Sequence, residues 1–516
     1  MKQKILDSIM EMRCEIGIEE RTPVITRAHE SGDRLFIECE DRADKSIVIG
    51  TGGWVVGKLA ASMGYKEIKV ESRLDNIMMT KRLIRSLRSI KDAGDDDFTK
   101  MSRSLLTGEG RSDVEVLVLG EEMLWACGFL KDHGCKARLL HTGFLHDNLK
   151  EAYDNTTFVG VDCVESPYRE RLDGLVSCIG SSGIEGGTNI VFGYFGKALD
   201  RVGDLILVNP MAFYGINYWN AKKYAKKKFR SKIAGISQEN RAMLVKGVLD
   251  MTFDGMIEPN DAAKLICQNW PELEFELDMD HKEQDPFVKE YRIRNALARA
   301  RMIDQRVYRA LENHLNGRQE DVGVRALVAW SGGIDSTACI KIAAGMGLSI
   351  DPVMVCLPHI DIGAMEDSAA SIGVDPVFLD LPDGYDNIYD SACKGHIHPC
   401  GQCSSLIQEA VLDFARSHDY EMVIFGDMLS CGSQSIVTQD GIMILNLPAA
   451  LSIPKKELLE ISGMEASCVF GCPLLDKSHK VNNGNRRVSV QRVLRELRAQ
   501  MMDKQYAIDL IEHIMT

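Results

Sequence analysis

Ala326 to Trp330 is a short apolar run that ends directly on Ser331-Gly332-Gly333-Ile334-Asp335-Ser336-Thr337, and a helix-like apolar period follows without a spacer. This order constrains the fold more than any other feature of the chain. A buried strand, a tight glycine turn and a helix in immediate succession are half of a crossover unit, and such units build parallel sheets. The same grammar recurs downstream in DPVMVCLP, DPVFLDLP and EMVIFGD, strand-like runs separated by helical patterns. Upstream it is read in SIVIGTGGWVVGKLAASMG (46–64), in VEVLVLGEEMLWACGFLKDHG (114–134) with KARLL after it, and in DLILVNP (204–210). Between the two series, 254–323 is richer in acidic and helical residues, with one long helix expected from Asp285 to Asn316. The expected fold class is therefore α/β: two Rossmann-like doubly wound parallel-sheet domains, 1–253 and 324–516, joined by a helical connector at 254–323.

With 516 residues the chain exceeds what one hydrophobic core accommodates, which agrees with several domains. Its 45% hydrophobic and 26% charged residues are the balance of a globular protein that stays in solution. No apolar run approaches the ~20 residues a membrane helix needs, and the first residues alternate charged with apolar instead of forming a signal-peptide core. A cytoplasmic protein without membrane partners is the expectation. The 15 cysteines then read as reduced thiols, and any close cluster as metal-binding or catalytic. A net charge of -14 excludes a surface that is basic throughout. Three basic stripes, Lys222–Lys232, Arg292–Arg309 and Arg486–Arg498, read as solvated helix faces.

The loop after Trp330 has the chemistry of a phosphate cradle. Gly332 and Gly333 let the backbone turn tightly against an anion, and Ser331, Ser336 and Thr337 set hydroxyls around a helix N-terminus whose dipole favours phosphate. It has no lysine and carries Asp335 in its middle, so it is not a Walker loop. SGGIDS resembles the SGGxDS signature of the PP-loop ATP pyrophosphatases, whose members activate substrates by adenylation. That resemblance implies an adenine nucleotide alpha hydrolase-like C-terminal domain that binds ATP and Mg²⁺. Asp335 would orient the metal or the reacting phosphate, and the backbone at Cys356 and Leu357 would hold adenine. Phe425-Gly426-Asp427 and the residues to Ser435 are similar to a stretch of the 4-thiouridine synthetases, with several departures. Gly426 and Asp427 would close over the adenylate, with capping by Asp427 as the other reading. Lys455, in Pro454-Lys455-Lys456, stands where such enzymes place a basic residue near the phosphates.

Cys400-Gly401-Gln402-Cys403 sets two thiols on a two-residue spacer ahead of a helix, a spacing that reaches one metal. Cys472 is a third donor, with Cys468 and Cys393 behind it. PP-loop enzymes that thiolate tRNA resemble this order, and in them three cysteines hold a [4Fe–4S] cluster with one iron left open. The rival is Zn²⁺ closed by His396 or His398 with Cys393, Cys400 and Cys403.

In the N-terminal half, Gly50-Thr51-Gly52-Gly53 and Gly120-Glu121-Glu122 each follow a strand-like run and could face a nucleotide. Neither completes G-x-G-x-x-G, and His141-Thr142 stands where a ribose-binding acid is expected. The segment from Val114 to Met251 is similar to the Rossmann-like methyltransferase of iron-guanylylpyridinol cofactor biosynthesis in methanogens. This implies an S-adenosylmethionine site around Gly120, Gly180 and Gly183, with simple partner or substrate binding as the alternative.

Together these readings describe an ATP-dependent sulfurtransferase. An acceptor oxygen is adenylated, pyrophosphate leaves, and sulfur inserted through a cysteine-ligated cluster displaces AMP. The acceptor is tRNA or a small molecule, the overall acidity leaning to the latter; a sulfur donor is implied and a homodimer is left open. A zinc-containing amide- or nitrile-forming ligase and a non-catalytic nucleotide-binding scaffold are the alternatives.

Overall fold

The computed structural model describes residues 1–17, 21–92, 113–118, 136–141, 156–158, 189–191, 199–202, 205–208, 238–270, 282–465 and 470–516. Sequence order predicts boundaries at 253 and 323. By its contacts the chain forms two compact units, one of Met1–Asn76 with Asp280–Thr516 and the other of Ile77–Met279.

The chain begins with α1 (Lys2–Glu15), β1 (Ile25–Ser31), β2 (Arg34–Cys39), α2 (Arg42–Ile49), α3 (Trp54–Met63), β3 (Glu67–Ser72) and α4 (Arg73–Asp92). β1 pairs antiparallel with β2, and β2 pairs parallel with β3 across the α2–α3 crossover. Ile5, Ile9, Leu35, Ile37, Val48, Val55 and Leu59 form a core of their own. Here the structure corrects the sequence: 46–49 is not a strand but the last turn of α2. Asp41 starts that helix by accepting from Arg42 N, in a capping box with Asp44, and this local signal overrides the β-branched run Ile47-Val48-Ile49.

The second unit carries a six-stranded sheet of β4 (Asp113–Val118), β5 (Lys136–His141), β6 (Thr156–Phe158), β7 (Asn189–Val191), β8 (Leu199–Val202) and β9 (Leu205–Val208). Its order is β6-β5-β4-β7-β9-β8, parallel except for the β8–β9 pair. Helices α5 (Gln238–Phe253) and α6 (Pro259–Asn269) follow. Strands read at 114, 136 and 205 are present. Gly120, Gly180 and Gly183, the residues tied to S-adenosylmethionine, lie outside the described residues, as do Thr142, Cys468 and the basic stripe Lys222–Lys232.

The first unit resumes with α7 (Pro286–Ile303) and α8 (Gln305–Leu315). The single helix expected from Asp285 to Asn316 is thus two. Asp304 takes an extended conformation (φ -152, ψ 121) and its carboxylate accepts from Arg306 N, ending one helix and capping the next. The elements that follow are β10 (Arg325–Ala329), α9 (Ile334–Gly345), β11 (Ser349–Val355), α10 (Ile362–Ser371), β12 (Val377–Leu379), α11 (Tyr385–Cys393), α12 (Cys400–Ser417) and β13 (Met422–Phe425). Then come β14 (Ile436–Gln439), β15 (Ile442–Asn446), α13 (Leu447–Leu451), α14 (Lys455–Ser462), α15 (Pro473–Val481), α16 (Asn483–Arg498) and α17 (Lys504–Met515).

The strands form a sheet of order β12-β11-β10-β13-β15-β14, parallel except for the β14–β15 hairpin. Alternate β10 residues feed opposite cores: Ala326 and Val328 meet α9 residues Ile340 and Ala343 on one face, while Leu327 meets α12 residues Val411 and Leu412 on the other. The chain is a mixed α/β protein with helices on both faces of this sheet. Strand order reverses between β10 and β13, which leaves a crevice at their carboxyl ends. Among the described residues no single helix is long and apolar enough to cross a membrane. The bent pair α2 and Thr51–Met63 matches one by length and composition, but Val48, Val55 and Leu59 are buried in the N-terminal core.

Candidate nucleotide site at the sheet switch point

The loop Ser331–Gly333 leaves β10 at the crevice and opens α9. Trp330 closes the strand by donating its amide to Val353 O at 2.9 Å, and its indole donates to Thr337 Oγ1 at 3.1 Å. Ser331 N donates to Ser336 Oγ at 3.1 Å, and that hydroxyl donates to Gly333 O at 3.1 Å. Ser336 and Thr337 are buried while Ser331 is exposed. Ser336 and Thr337 hold the loop's shape from within, and Ser331, at the surface, places its Oγ 3.2 Å from Ser336 Oγ. Gly332 has φ +72, and a Cβ there would stand 2.6 Å from Met365 Sδ. The positive φ favours glycine at this turn, and Met365 would have to move for any larger residue.

Asp335 lies in the first turn of α9, and Lys455, the first residue of α14, brings its Nζ to 2.6 Å from Asp335 Oδ1. Gly426 follows β13 directly. A Cβ there would meet Asp335 Cβ at 3.2 Å and Ser336 N at 3.4 Å, so the two loops touch backbone to helix. Asp427 accepts from Leu429 N at 3.0 Å, Ser430 N at 3.1 Å and Ser430 Oγ at 2.5 Å. It caps its own turn instead of a helix, and its exposed side chain is fixed beside the loop. At the end of β11, Cys356 N donates to Leu379 O at 2.9 Å and Leu357 O accepts from Ile360 N at 3.0 Å. Those two backbone groups are committed to the sheet edge and its turn.

Glu496 on α16 escapes a reading by motif. Desolvation pushes its carboxyl up to about 7, opposed by the charges of Lys455 and Arg492 and reinforced by those of Asp335 and Asp427. It keeps some surface exposure, but the protein around it outweighs the solvent. Glu496 is the acid within the basic stripe Arg486–Arg498, and that sign change was the available signal. The stripe itself is no plain solvated face, since Arg498 is buried and donates to Asp75 Oδ2 at 3.1 Å. The Arg292–Arg309 stripe is likewise engaged: Arg292 pairs with Asp41, and Arg306 with Asp304 and Glu421.

Cys400 and Cys403 occupy the first turn of α12, and Cys472 immediately precedes α15. Cys403 and Cys472 both pack against the apolar cluster of Tyr385, Leu357 and Leu474. Burial, and then the charges of Cys400 and Cys472, push the Cys403 thiol up to about 11. Arg492 acts on Cys400 in the opposite direction to burial. The three thiols are thus within electrostatic reach of one another. Among the described residues, however, no three His, Cys, Asp or Glu side chains gather closely enough to hold a metal ion. The donor chemistry suits a thiophilic metal, but the placement does not fit one. His398 Nε2 is engaged with Ser489 Oγ at 2.9 Å, a hydroxyl that His479 Nε2 shares at 2.8 Å.

No family model matches the chain. It is 31% identical over 247 residues to the uncharacterized protein MJ1638 of Methanocaldococcus jannaschii, an alignment that covers 44% of this chain and 94% of that protein. The chain belongs to the family of MJ1638. That relationship spans nearly all of MJ1638 and leaves more than half of the present chain beyond the shared region.

Proposed function

We propose that the first unit is an ATP-dependent adenylating enzyme of the PP-loop kind. The observation that carries this reading is the Lys455–Asp335 pair over a glycine-serine loop at the switch point of a parallel sheet. A free helix N-terminus with an ammonium group beside it complements a triphosphate. Ser331 and the backbone of Gly332 and Gly333 would bind the β- and γ-phosphates. Asp335 would hold or orient Mg²⁺, which supplies charge neutralisation on the departing pyrophosphate. Lys455 would stabilise the same developing charge and hold Asp335 aimed through their 2.6 Å contact. The acceptor oxygen attacks the α-phosphorus, its bond to the bridging oxygen of pyrophosphate breaks, and the acceptor is left as an adenylate.

Sulfur is the nucleophile we assign to the second half-reaction, because Cys403 and Cys472 pack into one apolar cluster with α11 and Cys400 acts electrostatically on Cys403. Sulfur adds to the activated carbon and AMP leaves with the acceptor oxygen. The test is pyrophosphate release with Mg²⁺ and ATP across candidate acceptors, for wild type and Lys455→Ala. No ATP binding that depends on Ser331 and Asp335 would remove the reading. Iron and zinc analysis after anaerobic reconstitution, on wild type and Cys400→Ala, tests the thiols separately.

A further inference from the structure

The parallel pairing of β2 with β3 needs a crossover, and one continuous helix would supply it. The chain instead breaks the crossover at Gly50-Thr51-Gly52-Gly53, between α2 and α3. All three glycines take left-handed φ, at +70, +62 and +80. Gly50 is demanded by packing, since a Cβ there would lie 2.3 Å from Val55 Cγ2. Gly52 and Gly53 are not: a Cβ on either would meet nothing within 4 Å. Beyond Gly50 the turn is thus open, its glycines unconstrained by the core, with Thr51 and Gly52 exposed.

What surrounds the hinge suits a phosphodiester backbone. No side chain caps the N-terminus of α3. Trp54, the next residue, is 41% exposed, an unusual setting for the largest aromatic, and the Lys58 ammonium sits 4.9 Å from its ring centroid. Between Arg42 and Ser62 the charged residues are Arg42, Asp44, Lys45 and Lys58, and Asp44 is fully buried. Arg42 pairs with Asp75 and Lys58 with Glu15, all at least partly exposed, so a phosphate on this face would exchange with carboxylates for those two cations. A G-x-x-G loop is the element with which KH modules clamp a single-stranded RNA backbone, and here it joins two helices beside a mixed three-stranded sheet.

We propose that Gly50–Gly53, with Trp54, Lys45 and Lys58, is a binding site for single-stranded RNA. The glycines let a phosphate approach the backbone, Lys45 and, by exchange from Glu15, Lys58 neutralise it, and Trp54 offers a stacking face for a base. RNA is the source we commit to because its loops and ends display single strands, whereas DNA is mostly duplex. The inference goes beyond the adenylation reading and stands without it.

The test uses the full chain and fluorescence anisotropy with short mixed-sequence RNA, the matching single-stranded DNA and duplex RNA. Wild type is expected to prefer single-stranded RNA, with an affinity that falls as salt rises. Thr51→Asp/Gly52→Asp puts two carboxylates on the hinge, in open space and with a residue type that tolerates left-handed φ. It should lower RNA affinity at least roughly tenfold, with the thermal transition and ATP binding unchanged. Trp54→Ala is the second variant, expected to weaken binding about tenfold through lost stacking. Absence of RNA binding by wild type, retained binding in both variants, or tighter binding of single-stranded DNA would each overturn the assignment. Failure of ATP binding alone would leave it standing.

Discussion

Lys455 and Asp335 are separated by 120 positions, yet the Lys455 ammonium stands 2.6 Å from Asp335 Oδ1 at the mouth of the glycine-serine loop. Two elements that share no local sequence signal thereby build one charge arrangement. Lys455→Met is expected to lower ATP affinity and adenylate formation together, the latter by about 10²-fold. Asp335→Asn should abolish the dependence of binding on Mg²⁺. Titration calorimetry with and without Mg²⁺ checks both, and a Lys455→Met protein with normal pyrophosphate release would refute the role given to Lys455.

Arg292 and Asp41 form a second long-range pair, at 2.9 Å, with side chains 4% and 1% exposed. Arg292 also donates to Ala499 O at 2.5 Å. Removing one partner strands a buried charge, so Arg292→Met should cost about 3–5 kcal/mol. The double variant Arg292→Met/Asp41→Asn should recover much of that loss, because Asn still caps α2. Urea midpoints of the four proteins close the cycle.

Asp44 is fully buried, and desolvation pushes its carboxyl from 3.8 up to about 7. It accepts from Val24 N at 2.8 Å, from Gln434 Nε2 at 2.8 Å and from Asp41 N at 3.2 Å. Between about pH 4 and about 7 the folded chain binds more protons at this group than the unfolded chain. Its contribution to stability therefore falls as pH rises through that window, by up to roughly 4 kcal/mol. Glu40, also raised by burial, acts in the same direction. Asp44→Asn should flatten the decline, read as the difference in urea midpoint between pH 5 and pH 8 for variant and wild type.

Glu496, with a carboxyl near 7, gains negative charge above neutrality in the field of Asp335 and Lys455. ATP affinity should accordingly weaken from pH 6 to pH 8 more in wild type than in Glu496→Gln. Equal pH dependence in the two proteins would show that Glu496 does not sense the phosphates.

The loop around Asp427 is anchored from the far end of the sequence. Gln434 Nε2 donates to Thr22 O at 2.9 Å as well as to Asp44, and Ser433 Oγ donates to Glu40 Oε2. Gln434→Ala should destabilise the protein by about 1–3 kcal/mol by leaving buried acceptors unpaired. Calorimetric melting with and without ATP would show whether loosening this anchor also weakens the nucleotide site.

The strand, glycine turn and helix at Ala326–Gly345 were legible because they are consecutive, and local propensity and patterning decide such units. The strands at 349, 377 and 422 were legible for the same reason. The β14–β15 hairpin, not read from the sequence, turns on Asp440-Gly441, with φ of 47 and 84 as a tight turn requires. Capping misled the reading twice, at Asp41 and Asp304, where one carboxylate on one amide outweighs a β-branched run or an otherwise continuous helical period. Sequence alone thus determined the parallel α/β grammar, the glycine-serine loop between strand and helix and the cysteine spacing, all of which are encoded within a few residues. Only the tertiary structure decided that residues 1–76 join 280–516 in one compact unit, that Lys455 pairs with Asp335 while Glu496 feels the charge of both, and that the turn at Gly52-Gly53 lies open. These are contacts between distant segments, fixed by how two-sided sheets and helices bury their apolar faces, and no window along the chain contains them.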